Sequence, residues 1–156
     1  MTHLKKGDKA PHFEGIDQDG QPISLDDFKG KKLILYFYPK DNTPGCTTEA
    51  CNLRDHYAEL KARGYEVVGV SPDSPRRHQN FISKYALPFR LIADEDHSIA
   101  QAYGVWGKKK MYGRAYEGIC RNTAVIGEDG TIEAVFPKVD VKRHAEQILE
   151  ALEAQA

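Results

Sequence analysis

Three cysteines are the residues of this chain best suited to redox chemistry. Cys46 and Cys51 lie five residues apart, and Cys120 lies far along the chain. The nucleophile in sulfur chemistry is the thiolate, and a free cysteine is mostly protonated at neutral pH because it titrates at about 8.5. A reactive cysteine therefore needs neighbours that stabilise its negative charge.

The local pattern places Cys46 at the start of a helix that follows a buried strand. Residues 33–38 form an apolar run of branched and aromatic side chains, which is typical of a strand buried on both faces. Pro39 ends that strand, and residues 41–45 favour a turn. A helical apolar pattern begins at Cys46 and ends at Gly64. The first turn of a helix presents free N–H groups and a partial positive charge, which favour a thiolate.

The helix terminus alone is too weak to activate the sulfur. Lowering the pKa of a cysteine from about 8.5 to about 6 requires about 3.4 kcal/mol of selective stabilisation of the anion. A helix N-terminus contributes about 0.3–1 kcal/mol, and about 2 kcal/mol if partly buried. An arginine at about 4 Å adds up to about 4 kcal/mol at an effective dielectric of about 20, before its own desolvation. We therefore expect a basic side chain from another part of the chain beside Cys46.

The spacing Pro39-x-x-x-Thr43-x-x-Cys46 resembles the active-site signature of the peroxiredoxins. Cys51 is similar to the second cysteine of the bacterioferritin-comigratory-protein branch, also called the PrxQ type. The resemblance covers essentially the whole chain, and its further motifs are residues 7–13, 71–73, 94–97, 104–107 and 121–123.

The resemblance implies a thiol peroxidase with a thioredoxin-like fold. Cys46 would be the peroxidatic cysteine, Thr43 would hydrogen-bond the peroxide, and Pro39 would shield the site from water. Arg121 would hold the thiolate and the peroxide oxygens, although without the resemblance a solvated charge at a strand end is its favoured interpretation. Cys51 would be the resolving cysteine. The resemblance further implies hydrogen peroxide and organic hydroperoxides as substrates, a thioredoxin or similar thiol reductant as partner, and a monomer.

A disulfide between Cys46 and Cys51 cannot form within an intact helix. Five residues along an α-helix place the two Cα atoms about 8.7 Å apart, whereas a disulfide tolerates about 7 Å. The helix is therefore predicted to unwind in its first turns on oxidation and to refold on reduction. Cys120 is interpreted as a small buried hydrophobic residue on the sheet face opposite to Arg121, with a redox role as the alternative.

Composition and charge favour a single cytoplasmic domain over residues 1–156. The chain has 22 basic and 23 acidic residues and a formal net charge of −1, so no basic surface indicates nucleic acid binding. No apolar stretch reaches the ~20 residues of a membrane span, and the N-terminal residues lack the apolar core of a signal peptide. Three cysteines in such a compartment favour reactive thiols over a structural disulfide framework.

The order of elements predicts an α/β fold with a central mixed sheet flanked by helices. Strands at residues 33–38 and 65–71, joined by a helix, imply a right-handed crossover and a parallel pair. Residues 104–118 are predicted to be a loop that rims the site or a partner surface, or that packs through its aromatic side chains. The acidic residues 94–96 are predicted to cap a helix rather than bind a metal. Further strands are predicted at 89–93, 123–126 and 131–136, and further helices at 75–85, at 98–103 and from about residue 140.

Other functions stay open on the residues alone. A thioredoxin-type disulfide oxidoreductase usually carries Cys-x-x-Cys, but Glu49 stands three residues after Cys46. A zinc-binding module would use Cys46, Cys51, Cys120 and a histidine such as His56, in a spacing that does not match a structural zinc site. A redox-sensing or chaperone role could accompany catalysis. No cofactor and no metal are expected, and the other histidines are predicted at the surface or at helix caps: His3, His12, His78, His97 and His144.

Overall fold

The computed structural model describes residues 2 to 153. Its strands, in chain order, are β1 Glu14–Ile16, β2 Pro22–Ser24, β3 Lys32–Phe37, β4 Tyr65–Ser71, β5 Arg90–Ala93, β6 Trp106–Met111, β7 Arg114–Ile119, β8 Asn122–Ile126 and β9 Ile132–Phe136. A 3-10 turn spans Leu25–Phe28, and the helices are α1 Pro44–Asp55, α2 Tyr57–Ala62, α3 Pro75–Tyr85, α4 Ser98–Ala102 and α5 His144–Glu153.

Strand β3 is the centre of a five-stranded mixed sheet with the order β5-β4-β3-β8-β9. Strand β4 runs parallel to β3 and β5 runs parallel to β4, whereas β8 is antiparallel to β3 and β9 is antiparallel to β8. Every residue of β3 after Lys32 is buried, because apolar layers cover both faces of the sheet. The predicted α/β fold with a mixed central sheet is therefore confirmed.

Each face of the sheet carries its own apolar core. Helices α1, α2, α3 and α5 contribute to one face, and the chain before β3 and helix α4 contribute to the other. Fully buried side chains of the first core include Tyr36, Leu53, Leu60, Phe81 and Ile148, and the second core includes Phe13, Leu35, Val70, Ile99 and Ile126.

The pairing of β3 with β8 brings two distant parts of the chain to one edge of the sheet. Phe37, the last residue of β3, faces Asn122, the first residue of β8. Because the two strands are antiparallel, the chain that leaves β3 lies beside the chain that enters β8. The segment leading to Cys46 and the residue Arg121 therefore meet at this edge.

Residues 104–118, predicted to be a loop, form instead an antiparallel hairpin of β6 and β7. The first four residues of β7 are all exposed, so the strand lacks the polar–apolar alternation from which strands are predicted. At the tip Tyr112 and Gly113 have φ angles of 53° and 77°, as in the two-residue turns that join hairpins.

Two predicted helices have different bounds in the structure. The helix predicted from Cys46 begins earlier, with Pro44 in the first helical position, and it is interrupted at His56 to give α1 and α2. The last helix begins at His144 rather than near Asp140. The capping role of the acidic cluster is confirmed, because Asp94 accepts hydrogen bonds from two backbone N–H groups at the start of α4. None of the helices within residues 2 to 153 has the length and apolar composition needed to cross a bilayer.

Candidate active site

Cys46 lies in the first turn of α1, as the sequence predicts. Thr43 is the N-cap residue of this helix and Pro44 is its first residue. The side chain of Cys46 is buried, with 2% of the residue exposed. Its sulfur is therefore shielded from bulk water and close to the unpaired N–H groups of the helix terminus, which stabilise negative charge.

Arg121 is the basic side chain that a reactive Cys46 requires. Its Nη2 donates a hydrogen bond to the Sγ atom of Cys46 at 3.3 Å, and its Nη1 donates to Oε1 of Glu49 at 2.5 Å. Burial lowers the pKa of Arg121, but the negative groups of Glu49 and Cys46 outweigh that effect and leave its pKa raised. The guanidinium thus stays charged, and its planar set of donors binds both partners at once.

Gly45 has no side chain, and the guanidinium of Arg121 occupies the space beside it. A Cβ atom at this position would lie 3.3 Å from Nη2 of Arg121, which is too close without a shift of the arginine. The absence of a side chain therefore allows Arg121 to reach the sulfur across the helix backbone.

Glu49 is a fully buried carboxyl group about one turn after Cys46 on the same helix. Burial raises the pKa of Glu49 to about 7, although the charge of Arg121 and its hydrogen bond act in the opposite direction. The Oε2 atom of Glu49 has no hydrogen-bond partner and lies 3.8 Å from Nε2 of His144. Burial therefore brings the pKa of Glu49 close to neutral even though its carboxyl group contacts Arg121.

His144 is fully buried, so its predicted place at the surface or at a cap is wrong. Its Nδ1 lies 2.9 Å from Oε1 of Gln147, and its Nε2 lies 2.7 Å from Oγ1 of Thr123. The amide oxygen only accepts, which assigns the proton to Nδ1 and makes Nε2 the acceptor of the Thr123 hydroxyl. Burial lowers the pKa of His144 to about 4, in keeping with a neutral ring.

A second buried polar network holds the loop between β3 and α1. The hydroxyl of Tyr38 donates to Oδ1 of Asp41 at 2.5 Å, and Nδ1 of His78 lies 2.6 Å from Oδ2 of the same carboxyl group. Nε2 of His78 lies 2.9 Å from the carbonyl oxygen of Ile92 and must be protonated, because a carbonyl only accepts. The short contact between His78 and Asp41 requires a further proton, which the two side chains share.

The same network includes Asp73. Its Oδ2 accepts hydrogen bonds from the N–H of Asp41 and from the hydroxyl of Ser71, both at 2.8 Å. Within the described residues, Asp41, Asp73 and His78 form the one group whose ligand atoms lie close enough together to hold a metal ion. It contains none of the residues of the zinc alternative: Cys46, Cys51, Cys120 and His56.

Thr43 and Pro39 are half-buried residues of this loop. The hydroxyl of Thr43 donates a hydrogen bond to the carbonyl oxygen of Lys40 at 2.7 Å. Its oxygen keeps the lone pairs with which a hydroxyl accepts a further hydrogen bond. The loop therefore places one polar side chain and one apolar ring directly before the helix that carries Cys46.

Cys51 and Cys120 are half-buried, and all three cysteines are free thiols. Helix α1 is continuous from Cys46 to Cys51, so the two sulfurs cannot bond in this conformation. Cys120 was expected to be buried, but it is partly accessible at the base of the β6–β7 hairpin, where its N–H donates to the carbonyl oxygen of Val105 at 2.8 Å.

Known proteins are similar to this chain along almost its whole length. The model of the AhpC/TSA family matches residues 6–135. This chain belongs to the AhpC/TSA family. Peroxiredoxin Bcp of Escherichia coli K12 is 45% identical to this peroxiredoxin over 156 residues, which cover 100% of both chains.

Solved structures of PrxQ proteins share the fold. PrxQ of Xylella fastidiosa superposes with a TM-score of 0.92 at 33% identity, covering 99% of each chain. The bacterioferritin comigratory protein of Xanthomonas campestris, whose structures address its alkyl peroxide reduction activity, gives a TM-score of 0.85 at 36% identity and covers 92% of this chain and 91% of its own. The resemblance to the Bcp and PrxQ branch and the thioredoxin-like fold are therefore confirmed.

The sequence reasoning missed Glu49 as a member of the site of this peroxiredoxin. Its spacing of three residues from Cys46 was the available signal, because residues three apart lie on the same helix face. The burial of His78 and His144 had no local signal, since their partners Asp41 and Thr123 are 37 and 21 residues away in the chain.

Proposed function

We propose that this peroxiredoxin reduces hydrogen peroxide and organic hydroperoxides through Cys46, and that thioredoxin or a similar thiol reductant restores it. The observation that carries the proposal is the 3.3 Å contact between Nη2 of Arg121 and Sγ of Cys46 at the N-terminus of α1. A buried sulfur with a fixed cation beside it is stabilised as the thiolate, the form that attacks a peroxide. The family match and the alkyl peroxide reduction of the Xanthomonas campestris relative support the same chemistry.

In the first step the thiolate of Cys46 attacks one peroxide oxygen. A sulfur–oxygen bond forms, the oxygen–oxygen bond breaks, and the leaving oxygen takes a proton to become water or an alcohol. The sulfur is oxidised to sulfenic acid and the peroxide is reduced. Arg121, the N–H groups of the first turn and the Thr43 hydroxyl stabilise the negative charge that spreads over the oxygens, and Pro39 limits the access of water.

In the second step the thiol of Cys51 condenses with the sulfenic acid of Cys46. A disulfide forms and one water molecule leaves. Since α1 holds the two residues too far apart, its turns between them unwind before the bond forms. Thiol–disulfide exchange with the reductant then returns both thiols, and α1 refolds.

A peroxide-consumption assay with thioredoxin and its reductase tests this assignment. We expect no turnover with Cys46→Ser, impaired recycling with Cys51→Ser, and near-normal rates with Cys120→Ser, which is the matched control. Turnover by Cys46→Ser would overturn the proposed nucleophile. Peptide mapping of the peroxide-treated protein that finds a dominant bond between Cys46 and Cys120 would overturn the role of Cys51.

A further inference from the structure

Asn52, the residue after Cys51, connects α1 to the first turn of α5. Its Oδ1 accepts a hydrogen bond from the N–H of Ala145 at 2.7 Å. Its Nδ2 donates to Oε1 of Glu146 at 2.9 Å and to the carbonyl oxygen of Lys142 at 3.2 Å. A side chain of α1 thus satisfies a free N–H group at the start of α5, a task that a helix usually gives to its own N-cap residue.

The segment that has to unwind is therefore fixed at both ends. Arg121 holds Cys46 and Glu49 at the beginning of the segment, and α5 holds Asn52 at its end. Cys51 lies directly beside the second anchor. The hydrogen bonds of the Asn52 side chain therefore oppose unwinding at the end of the segment that carries Cys51.

We propose that Asn52 is a positioning residue that limits the rate at which Cys51 reaches the sulfenic acid of Cys46. The proposal rests on the assignment of Cys51 as the resolving cysteine. Opening of α1 breaks the three hydrogen bonds of the Asn52 side chain and leaves the Ala145 N–H without its partner, which raises the free energy of the open state. Two of the bonds go to α5 and the third goes to Lys142, just before it, so none involves Cys46 or Arg121, and Asn52 acts on the second step and leaves the attack on the peroxide unchanged.

Amide hydrogen exchange of the unmodified protein gives the first test. In the reduced protein the Ala145 N–H is bonded to Asn52, and in the disulfide form that bond is broken. We expect the Ala145 amide to exchange at least about tenfold faster in the disulfide form, together with the amides of residues 47–52. Equal protection of Ala145 in both forms, with residues 47–52 deprotected on oxidation, would show that the anchor does not open and would overturn the proposal.

The second test is a single-turnover experiment on Asn52→Ser. Serine has nearly the helix propensity of asparagine, so the intrinsic cost of unwinding α1 is preserved, while its short side chain loses the bonds to α5. We expect disulfide formation to be about tenfold faster and the preceding oxidation of Cys46 to stay within about twofold. Asn80→Ser, at an exposed position of α3, makes the same chemical change away from the anchor and should alter neither rate.

A variant on the α5 side keeps the test valid if Asn52→Ser does not fold. Glu146→Ala removes one of the three partners of Asn52, together with the 3.5 Å contact of Glu146 to His56 at the end of α1, and leaves the sequence of α1 unchanged, so we expect about threefold faster disulfide formation. If the disulfide forms at the same rate in the wild type and in both variants, the proposed role of Asn52 is overturned, whereas the resolving role of Cys51 is not. Failure of the wild type to form a Cys46–Cys51 disulfide would instead overturn the proposed resolving step.

Discussion

Two acidic groups share the guanidinium of Arg121. The Sγ atom of Cys46 and the carboxyl group of Glu49 each accept one of its hydrogen bonds. An ionised Glu49 competes with the thiolate for the positive charge, whereas a protonated Glu49 leaves that charge to the sulfur. Since burial raises the pKa of Glu49 to about 7, the balance between these two states lies close to neutral pH.

Replacing this arginine should affect the peroxide step most strongly. We expect Arg121→Met to lower the second-order rate constant for oxidation of Cys46 by about 10²–10³, because it removes a fixed donor from the charge that develops on the oxygens. Stopped-flow measurement of the reduced protein with hydrogen peroxide would give this rate. Arg76→Met, at an exposed position of α3, is the control, and a loss below threefold in Arg121→Met would contradict the assigned role.

At the scale of elements, a short buried contact between a carboxyl group and an imidazole ring holds the loop between β3 and α1 in place. Asp41 lies in this loop, His78 lies on α3, and both side chains are almost completely inaccessible. Because Thr43 lies two residues after Asp41 and α1 begins at the next residue, the contact fixes the position from which α1 begins. The position of Cys46 therefore depends on a contact between this loop and α3, although neither Asp41 nor His78 takes part in the reaction.

The Asp41→Asn substitution tests this support. It removes the carboxyl group that Nδ1 of His78 and the Tyr38 hydroxyl both contact in the buried network, and loss of one partner of a buried pair of this kind costs about 3–5 kcal/mol. We expect the free energy of unfolding, measured with urea, to fall by that amount. Asp55→Asn, at an exposed position of α1, should change it by less than about 0.5 kcal/mol. A loss below about 1 kcal/mol in Asp41→Asn would show that the network is not needed.

The elements also show where prediction from the sequence succeeds. Strand β3, the turn after it and the helix with Cys46 were predictable because each carries a local signal: an apolar run, turn residues and a helical period. The β6–β7 hairpin was missed because its exposed strands have no buried face to impose an alternating pattern. The interruption at His56 was missed because the apolar spacing continues across it into α2.

For the whole molecule, Glu49 and His144 have opposite effects on the pH dependence of stability. The pKa of Glu49 is raised from 4.5 to about 7 on folding, so its contribution is present at low pH and is lost as the pH rises through about 7. The pKa of His144 is lowered from 6.5 to about 4, so its contribution is present at high pH and is lost as the pH falls through about 4. Between about pH 4.5 and pH 6.5 the fall in the Glu49 contribution and the rise in the His144 contribution offset each other, so their sum stays constant.

Single substitutions should reveal each contribution. Relative to wild type, Glu49→Gln should gain stability as the pH rises from about 4.5 to 7, because it removes the group that binds an extra proton in the folded state. His144→Gln should lose stability relative to wild type as the pH rises from about 4 to 6.5. The difference in the free energy of unfolding between each variant and the wild type should change by up to about 1.4 kcal/mol per pH unit. Urea unfolding at several pH values measures this difference. If a variant and the wild type show parallel plots of the free energy of unfolding against pH, the replaced residue does not cause the pH dependence assigned to it.

The pairing of distant residues sets the limit of prediction for the molecule as a whole. Cys46 and Arg121 are 75 residues apart in the chain, and no local pattern in either segment identifies the other. The need for a cation follows from the electrostatics of a thiolate, but the choice of Arg121 followed from the peroxiredoxin resemblance. The structure shows how Cys46 and Arg121 meet, because the register of β3 with β8 brings the two residues together.

The antiparallel placement of β8 has a consequence during synthesis. A ribosome releases Cys46 long before it releases the strand that delivers the guanidinium, and the intervening chain can form the parallel strands and α3 without it. In a growing chain the sulfur therefore lacks its guanidinium neighbour until β8 docks against β3. The thiol and the guanidinium thus come together only when the central sheet is almost complete.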